Sequence, residues 1–213
     1  NKNDDCLEVG SILFNVKSRS VLAQQSFLLP VENNNAEKIN NIPAEITRLP
    51  QPLSEAIIYF ESLVRVSDLI VAHNAEFDKK WFGLNKLPRI EKPWICSMDD
   101  MTWPADRQLK TRPSVRDLAL AYGVPVWNAH RALTDCIYLA EVFKRCSDFE
   151  KLLIRGLEPK ILVCAEISYE ERHLAKNSGF RWNDAIKGAW SRKMSRRDIE
   201  KLEFPVHEVE SQS

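Results

Sequence analysis

Apolar positions along the chain fall into short segments with two rhythms. Residues 6–16 and 21–29 are runs rich in β-branched and aromatic side chains, separated by the polar KSRS, and predict a β-hairpin. A Pro- and Asn-rich connection follows, PVENNNAEKINNIPAEITRLPQP. After it, Ile57, Phe60 and Val64 recur along one face of a predicted helix with Ser54 as its cap. Leu69, Ile70, Val71 and Ala72 predict a short strand that runs straight into another helix, and WICSM, residues 94–98, predicts a further short strand. In SVRDLALAYG, Ser114 caps, Asp117 takes the third helical position and Gly123 ends the helix. Leu133, Cys136, Ile137, Ala140 and Phe143 then trace the apolar stripe of a longer helix ending near Arg145. Strands first and strand–helix alternation afterwards predict a mixed α/β sheet.

The pattern changes after about residue 150. EPKILVCAEI predicts a strand, SYEERHLAKNSG a helix with a Ser168/Glu171 capping box and a Gly179 stop, and FRWNDAIKGAWSRKM a hairpin. The predicted organisation is therefore a larger domain over residues 1–150 and a small β-α-β-β accessory domain over 158–206, near the lower size limit for a self-supporting core.

Composition narrows the class. With 44% hydrophobic and 28% charged residues, the 213-residue chain is globular. No stretch reaches the length of a transmembrane span and the polar start NKNDDCLEVG lacks a signal-peptide core, so a cytoplasmic location is expected. Five cysteines, odd in number and without a CxxC pair, predict reduced thiols rather than a disulfide framework or a zinc site. Zero formal net charge excludes nucleic-acid binding by bulk charge but allows a local basic patch. The chain starts at Asn and enters an apolar run almost at once, from which we expect a piece of a longer polypeptide.

Two polar clusters interrupt the apolar pattern. In LIVAHNAEFDKKWF, residues 69–82, a strand ends in His73 and Asn74 and a lone carboxylate, Asp78, follows within an aromatic helix. Two readings are open: a reactive cluster at the exit of a buried strand, or Asn74 as a helix cap, Phe77 packed on Trp81, and Asp78 as a solvated first-turn acid. In WNAHRALTDCIYLAEVF, residues 127–143, His130 and Asp135 are five positions apart, about 500° around a regular helix, so they would not share a face. They converge only if His130 stands on the lead-in loop. The alternative is a capping or core pair.

With both clusters in view, VAHNAEFDKKWF resembles the second motif, and NAHRALTDCIYLAEVF the third, of the DnaQ-like, DEDDh-type 3'-5' exonucleases. CLEVGSILFNV resembles the strand after the family's first motif, INNIPAEI its post-hairpin segment, and SVRDLALAYGVPV the helix before the His-containing motif. The likeness runs over roughly residues 5–146, in order. It implies a ribonuclease H-like mixed sheet flanked by helices and removal of nucleotides from 3' ends of DNA or RNA. It also implies Asp78 and Asp135 as ligands of two divalent ions, Mg²⁺ or Mn²⁺, and His130 as general base. His73, Asn74 and Phe77 would border the terminal nucleotide. Hard cations about 4 Å apart take carboxylate oxygens, and histidine exchanges a proton near neutral pH, so the residue types suit phosphodiester hydrolysis.

One motif departs from the pattern. The family's first-strand Asp-x-Glu is absent, leaving Asp4, Asp5 and Glu8 as the nearest acids, so the chain as it stands is expected to bind metal weakly and to be inactive, with activity residing in a longer parent. The alternative function is a non-catalytic nucleic-acid-binding protein that keeps the fold. In the C-terminal segment Arg181, Trp182, Lys187, Trp190 and Arg192 alternate basic and aromatic character, which predicts an accessory nucleic-acid contact or, on the other reading, that segment's own core with a solvated charged face.

Overall fold

The computed structural model describes residues 5–127 and 130–209. Strands β1 (Glu8–Asn15) and β2 (Ser20–Leu28) form the predicted antiparallel hairpin, with an irregularity at Leu13/Phe14. Two single-turn helices follow, α1 (Glu37–Asn40) and α2 (Ala44–Thr47). Thr47 is fully buried and accepts the Val31 amide at 3.0 Å, which fixes the Pro- and Asn-rich connection. Helix α3 (Leu53–Val66) starts behind Pro52, so Ser54 lies inside it; the cap has no side-chain hydrogen bond, and the proline ring, which restricts φ, shapes the entry instead.

Strand β3 (Ile70–Ala72), helix α4 (Ala75–Lys79) and strand β4 (Trp94–Cys96) come next, and β3 and β4 pair in parallel. Helix α5 (Val115–Ala121) begins with the full Ser114/Asp117 capping box. Helices α6 (Ala132–Arg145) and α7 (Phe149–Gly156) complete the larger unit. Its main core gathers Ile95, Leu118, Tyr138, Val142, Phe149 and Leu152, and a second cluster packs Val9 and Phe27 of the hairpin on Phe60. Because α7 contributes Phe149, Leu152 and Leu153 to the main core, the larger unit runs to Gly156, past the boundary predicted at residue 150.

The result is a mixed α/β molecule of small sheets and helices. Among the described residues the hairpin and the parallel pair are separate two-stranded sheets, where the sequence predicted one mixed sheet. What joins them is side-chain packing: Phe14 and Val16 of the hairpin region and Leu69 and Val71 around β3 all pack against the main core.

The C-terminal module comprises β5 (Lys160–Ala165), α8 (Arg172–Asn177), β6 (Arg181–Trp182), β7 (Trp190–Ser195), α9 (Arg196–Ile199) and β8 (Val206–Glu208). Its four strands form an antiparallel sheet in the order β6-β7-β5-β8 around Val163, Ala175, Phe180 and Met194, so it exceeds the predicted β-α-β-β by one short helix and an edge strand. Polar contacts dock it on the larger unit. Lys160 pairs with Asp100 at 3.2 Å, Arg192 Nη2 donates to the Asp99 carbonyl at 3.2 Å, and Thr111 Oγ1 donates to the Asn177 carbonyl. No described helix is long and apolar enough to cross a membrane.

Candidate active site

The first cluster is built by an abrupt turn. At the end of β3, Asn74 adopts φ 71°, a left-handed conformation that Asn tolerates better than most residues, and so redirects the chain into α4. It stands at the N-cap position without a side-chain capping bond. Ala75 is buried, and its amide points at the Cys96 sulfur at 3.4 Å, fastening α4 to β4.

Asp78 is mostly buried, which excludes the reading as a solvated first-turn acid. Removal from water pushes its pKa up to about 6, with only the nearby charge of Lys80 acting in the other direction. Lys80 itself lies over the Phe77 and Trp81 rings, at 4.1 and 4.4 Å, and those rings meet edge to face. Phe77 is 51% exposed, so this aromatic pair forms a solvent-facing wall beside the carboxylate.

His73 faces a different neighbourhood. Its Nδ1 lies 2.9 Å from Ser97 Oγ, a fully buried hydroxyl that also donates to the Ala72 carbonyl. Burial lowers the His73 pKa, so the ring is held toward its neutral form. Around it stand Asp99 and Arg112, which are paired with each other. His73 thus ties β3 to the segment after β4.

The second cluster is organised by the start of α6. His130 has φ 69° and sits in the lead-in turn, exposed, ahead of Arg131 at the N-cap. Its backbone amide hydrogen-bonds the Asp135 carboxylate, whose pKa is raised by burial against the pull of His130. His130 does occupy the lead-in position, and the bond it makes to Asp135 there is through its backbone amide. Upstream, Trp127 packs edge to face on the buried Tyr138, whose hydroxyl accepts the Trp127 amide at 2.9 Å, so the approach to this turn is held by the helix it precedes.

The charges of both clusters reach Cys136. Burial pushes this thiol up to about 12, and the charges of Asp78, Asp135 and Glu8 add to the shift in that order. Asp78 also raises Cys6, which is pushed up to about 11 with burial as the largest cause. Carboxylates from α4 and α6, more than fifty positions apart in the chain, therefore both act on the Cys136 thiol.

Glu8 has a different role. Its side chain is 7% exposed and bound on every side: Arg131 Nη2 at 2.9 Å, the Ala132 amide at 2.9 Å and Ser26 Oγ at 3.0 Å. Burial raises its pKa, but these bonds outweigh it and the net shift is downward. It receives the first amide of α6 as an N-terminal anion would. Gly10, one residue further along the same strand face, lets α6 come close: a Cβ there would lie 2.3 Å from the Leu133 nitrogen. Sequence reading missed both features, although the glycine inside a strand pattern and the arginine after His130 were the signals.

These donors do not by themselves fit a pair of divalent ions. Among the described residues no group of three His, Cys, Asp or Glu side chains is placed to hold a metal. Glu8 is committed to Arg131 and α6, Asp5 is exposed, and Asp4 lies outside the described residues. Asp78 and Asp135 remain, two carboxylates where hard cations take six or more oxygens.

In the C-terminal module the predicted contact residues divide. Arg181 and Lys187 are exposed, with Arg181 paired to Asp184 at 3.1 Å, and Trp182 is 53% exposed against the half-buried Trp190. Arg192 is a correction to the predicted surface. It is largely buried, donates to the Asp99 and Ser178 carbonyls, and serves to dock the module, because a guanidinium at that register faces the larger unit and not solvent.

Comparison with known proteins adds one match. Residues 161–209 are similar to a family model described as Domain of unknown function (DUF8626), which spans the module from β5 to β8. No curated protein matches the chain.

Proposed function

We propose that the larger unit is a ribonuclease H-like, DnaQ-type exonuclease domain acting on the 3' ends of DNA or RNA. The observation that carries this reading is that the charges of Asp78 and Asp135 both bear on Cys136, with the His130 amide on Asp135 and the exposed Phe77 beside Asp78. In this reading Phe77 and Trp81 receive the terminal base, and His130 accepts the proton of the attacking water while its amide holds Asp135 in place. Asp78 and Asp135 would supply two of the oxygen ligands of a divalent ion, whose positive charge the approach of a phosphate to these acids requires. The five free thiols, three of them buried, suit a reducing, cytoplasmic setting.

A second reading is favoured by the commitment of Glu8 to Arg131 and by the incomplete donor set: a nucleic-acid-binding protein that keeps the site's shape without its hydrolytic chemistry. One experiment separates the two. Purified chain, alone and with any coding sequence that precedes it restored, is incubated with 3'-labelled single-stranded DNA or RNA in Mg²⁺ or Mn²⁺. Release of labelled nucleotide that falls at least ~100-fold in both Asp135→Asn and His130→Ala supports the exonuclease. Retention of label with measurable binding supports the second reading, and undiminished release in Asp135→Asn removes the site assignment altogether.

A further inference from the structure

We propose that the cleft on the C-terminal module is a binding site for unpaired nucleotides of a single-stranded nucleic acid. It is lined by Glu170, Arg172, His173, Lys176 and Trp190 and has a volume of ≈ 380 Å³. That volume falls within the range of small-ligand sites. Of its five lining residues, two are basic (Arg172 and Lys176), one is a histidine and one is an indole. Arg172 lies flat against the exposed Tyr169 ring, 3.8 Å from guanidinium to centroid, and donates to the Tyr169 carbonyl, so its position is set before any ligand arrives. His173 Nδ1 is used by the Glu170 carbonyl at 3.1 Å, which leaves Nε2 as the ring's remaining polar atom.

The aromatic component selects nucleic acid over an acidic protein segment. Trp190 forms one wall of the cleft, and the exposed Trp182 packs on it with ring centroids 5.8 Å apart. An acidic peptide would be attracted by the cations but has no use for a solvent-facing indole. A base stacks on that face while its phosphates reach Lys176 and Arg172. Glu170 is the one acid in the lining and disfavours any ligand that offers charge alone.

The strand that lines the cleft also reaches the larger unit. Strand β7 leads from Trp190 to Arg192 and Lys193, about 10 Å at strand spacing. Arg192 contacts the Asp99 carbonyl and Lys193 lies 3.9 Å from Glu76 on α4, next to Phe77. The module that carries the cleft thus touches α4, the helix on which Asp78 lies. Binding in the cleft does not depend on hydrolysis and is measured with metal chelated, so its failure and that of the exonuclease reading are distinguishable.

The test is fluorescence anisotropy of the full chain with a labelled single-stranded DNA about ten nucleotides long, in EDTA, at several salt concentrations. Lys176→Glu is expected to weaken binding about tenfold and to flatten the salt dependence by about 0.7 in logarithmic slope for each phosphate no longer neutralised. Trp182→Ala is expected to weaken it roughly 5- to 100-fold, with Trp182→Phe restoring most of the loss. Lys144→Glu, on α6 outside the cleft, should leave affinity within about twofold. Circular dichroism melts confirm that each variant is folded. The proposal is overturned by absence of wild-type binding, or by unchanged affinity in both Lys176→Glu, in the cleft, and Trp182→Ala, on the indole beside it. Equal loss in Lys144→Glu, or displacement by polyglutamate as effective as by unlabelled DNA, overturns it as well.

Discussion

The heads of α6 and α4 each hold a buried carboxylate, and the two are treated in opposite ways. At α6, Glu8 meets a guanidinium, a helix amide and a hydroxyl, and its pKa falls below the ordinary value. At α4, Asp78 is withdrawn from water with little compensation beyond Lys80, and its pKa rises to about 6. Burial is common to both, so partners decide the sign. The contrast separates an acid that holds the fold from one that the fold holds at a disadvantage, and the second pattern is the one expected where chemistry is placed.

The largest effect should come from disturbing the packing that brings the two regions together. Gly10→Ala would set a Cβ within 2.3 Å of the α6 backbone at Leu133, and backbone cannot swing aside as a side-chain tip can. We expect a loss of more than about 4 kcal/mol, seen as insoluble or unfolded protein. A soluble variant with a near wild-type urea midpoint would refute the close approach.

Next in size is Glu8→Ala. It leaves Arg131 and the Ala132 amide without their acceptor and should destabilise by about 3 kcal/mol, the low end for a broken buried pair because Arg131 is partly exposed. The sign with pH follows from the lowered pKa. Glu8 adds stability above its unfolded-state value near 4.5, and that stability is lost as pH falls through the lower folded-state value. Urea titrations at neutral and acid pH should therefore show the variant's deficit shrinking with acid.

Asp78→Asn should move stability the other way and by less. With the folded-state pKa raised from 3.8 to about 6, the folded protein holds the proton more tightly than the unfolded chain, so Asp78 lowers stability progressively as pH rises from about 4 to 6. Asparagine removes that penalty: a gain of at most about 3 kcal/mol above pH ~6, vanishing below pH ~4. Thermal melts across this range check it, and a destabilised variant at pH ~7 would mean that Asp78 is paired after all.

How much of this was legible beforehand depends on the distance between interacting residues. The hairpin and the Ser114/Asp117 box were readable because their bonds span three positions or join adjacent strands, and the structure forms both; Ser168 and Glu171 also exchange their two bonds, but in the turn ahead of α8, whose N-cap is Glu171 and not Ser168. Local patterning also marked Asp78, His130 and Asp135 as out of place on apolar elements. It could not say that Glu8 meets Arg131, 123 positions away, or that Arg192 turns inward to Asp99, 93 positions away, because no local signal encodes which distant group will occupy the facing surface. Sequence determined the elements, their caps and the residue types able to do acid–base work. Tertiary structure alone decided which carboxylate is compensated and which is not, since burial and partner distance set a charge's energy and both are properties of the packed chain.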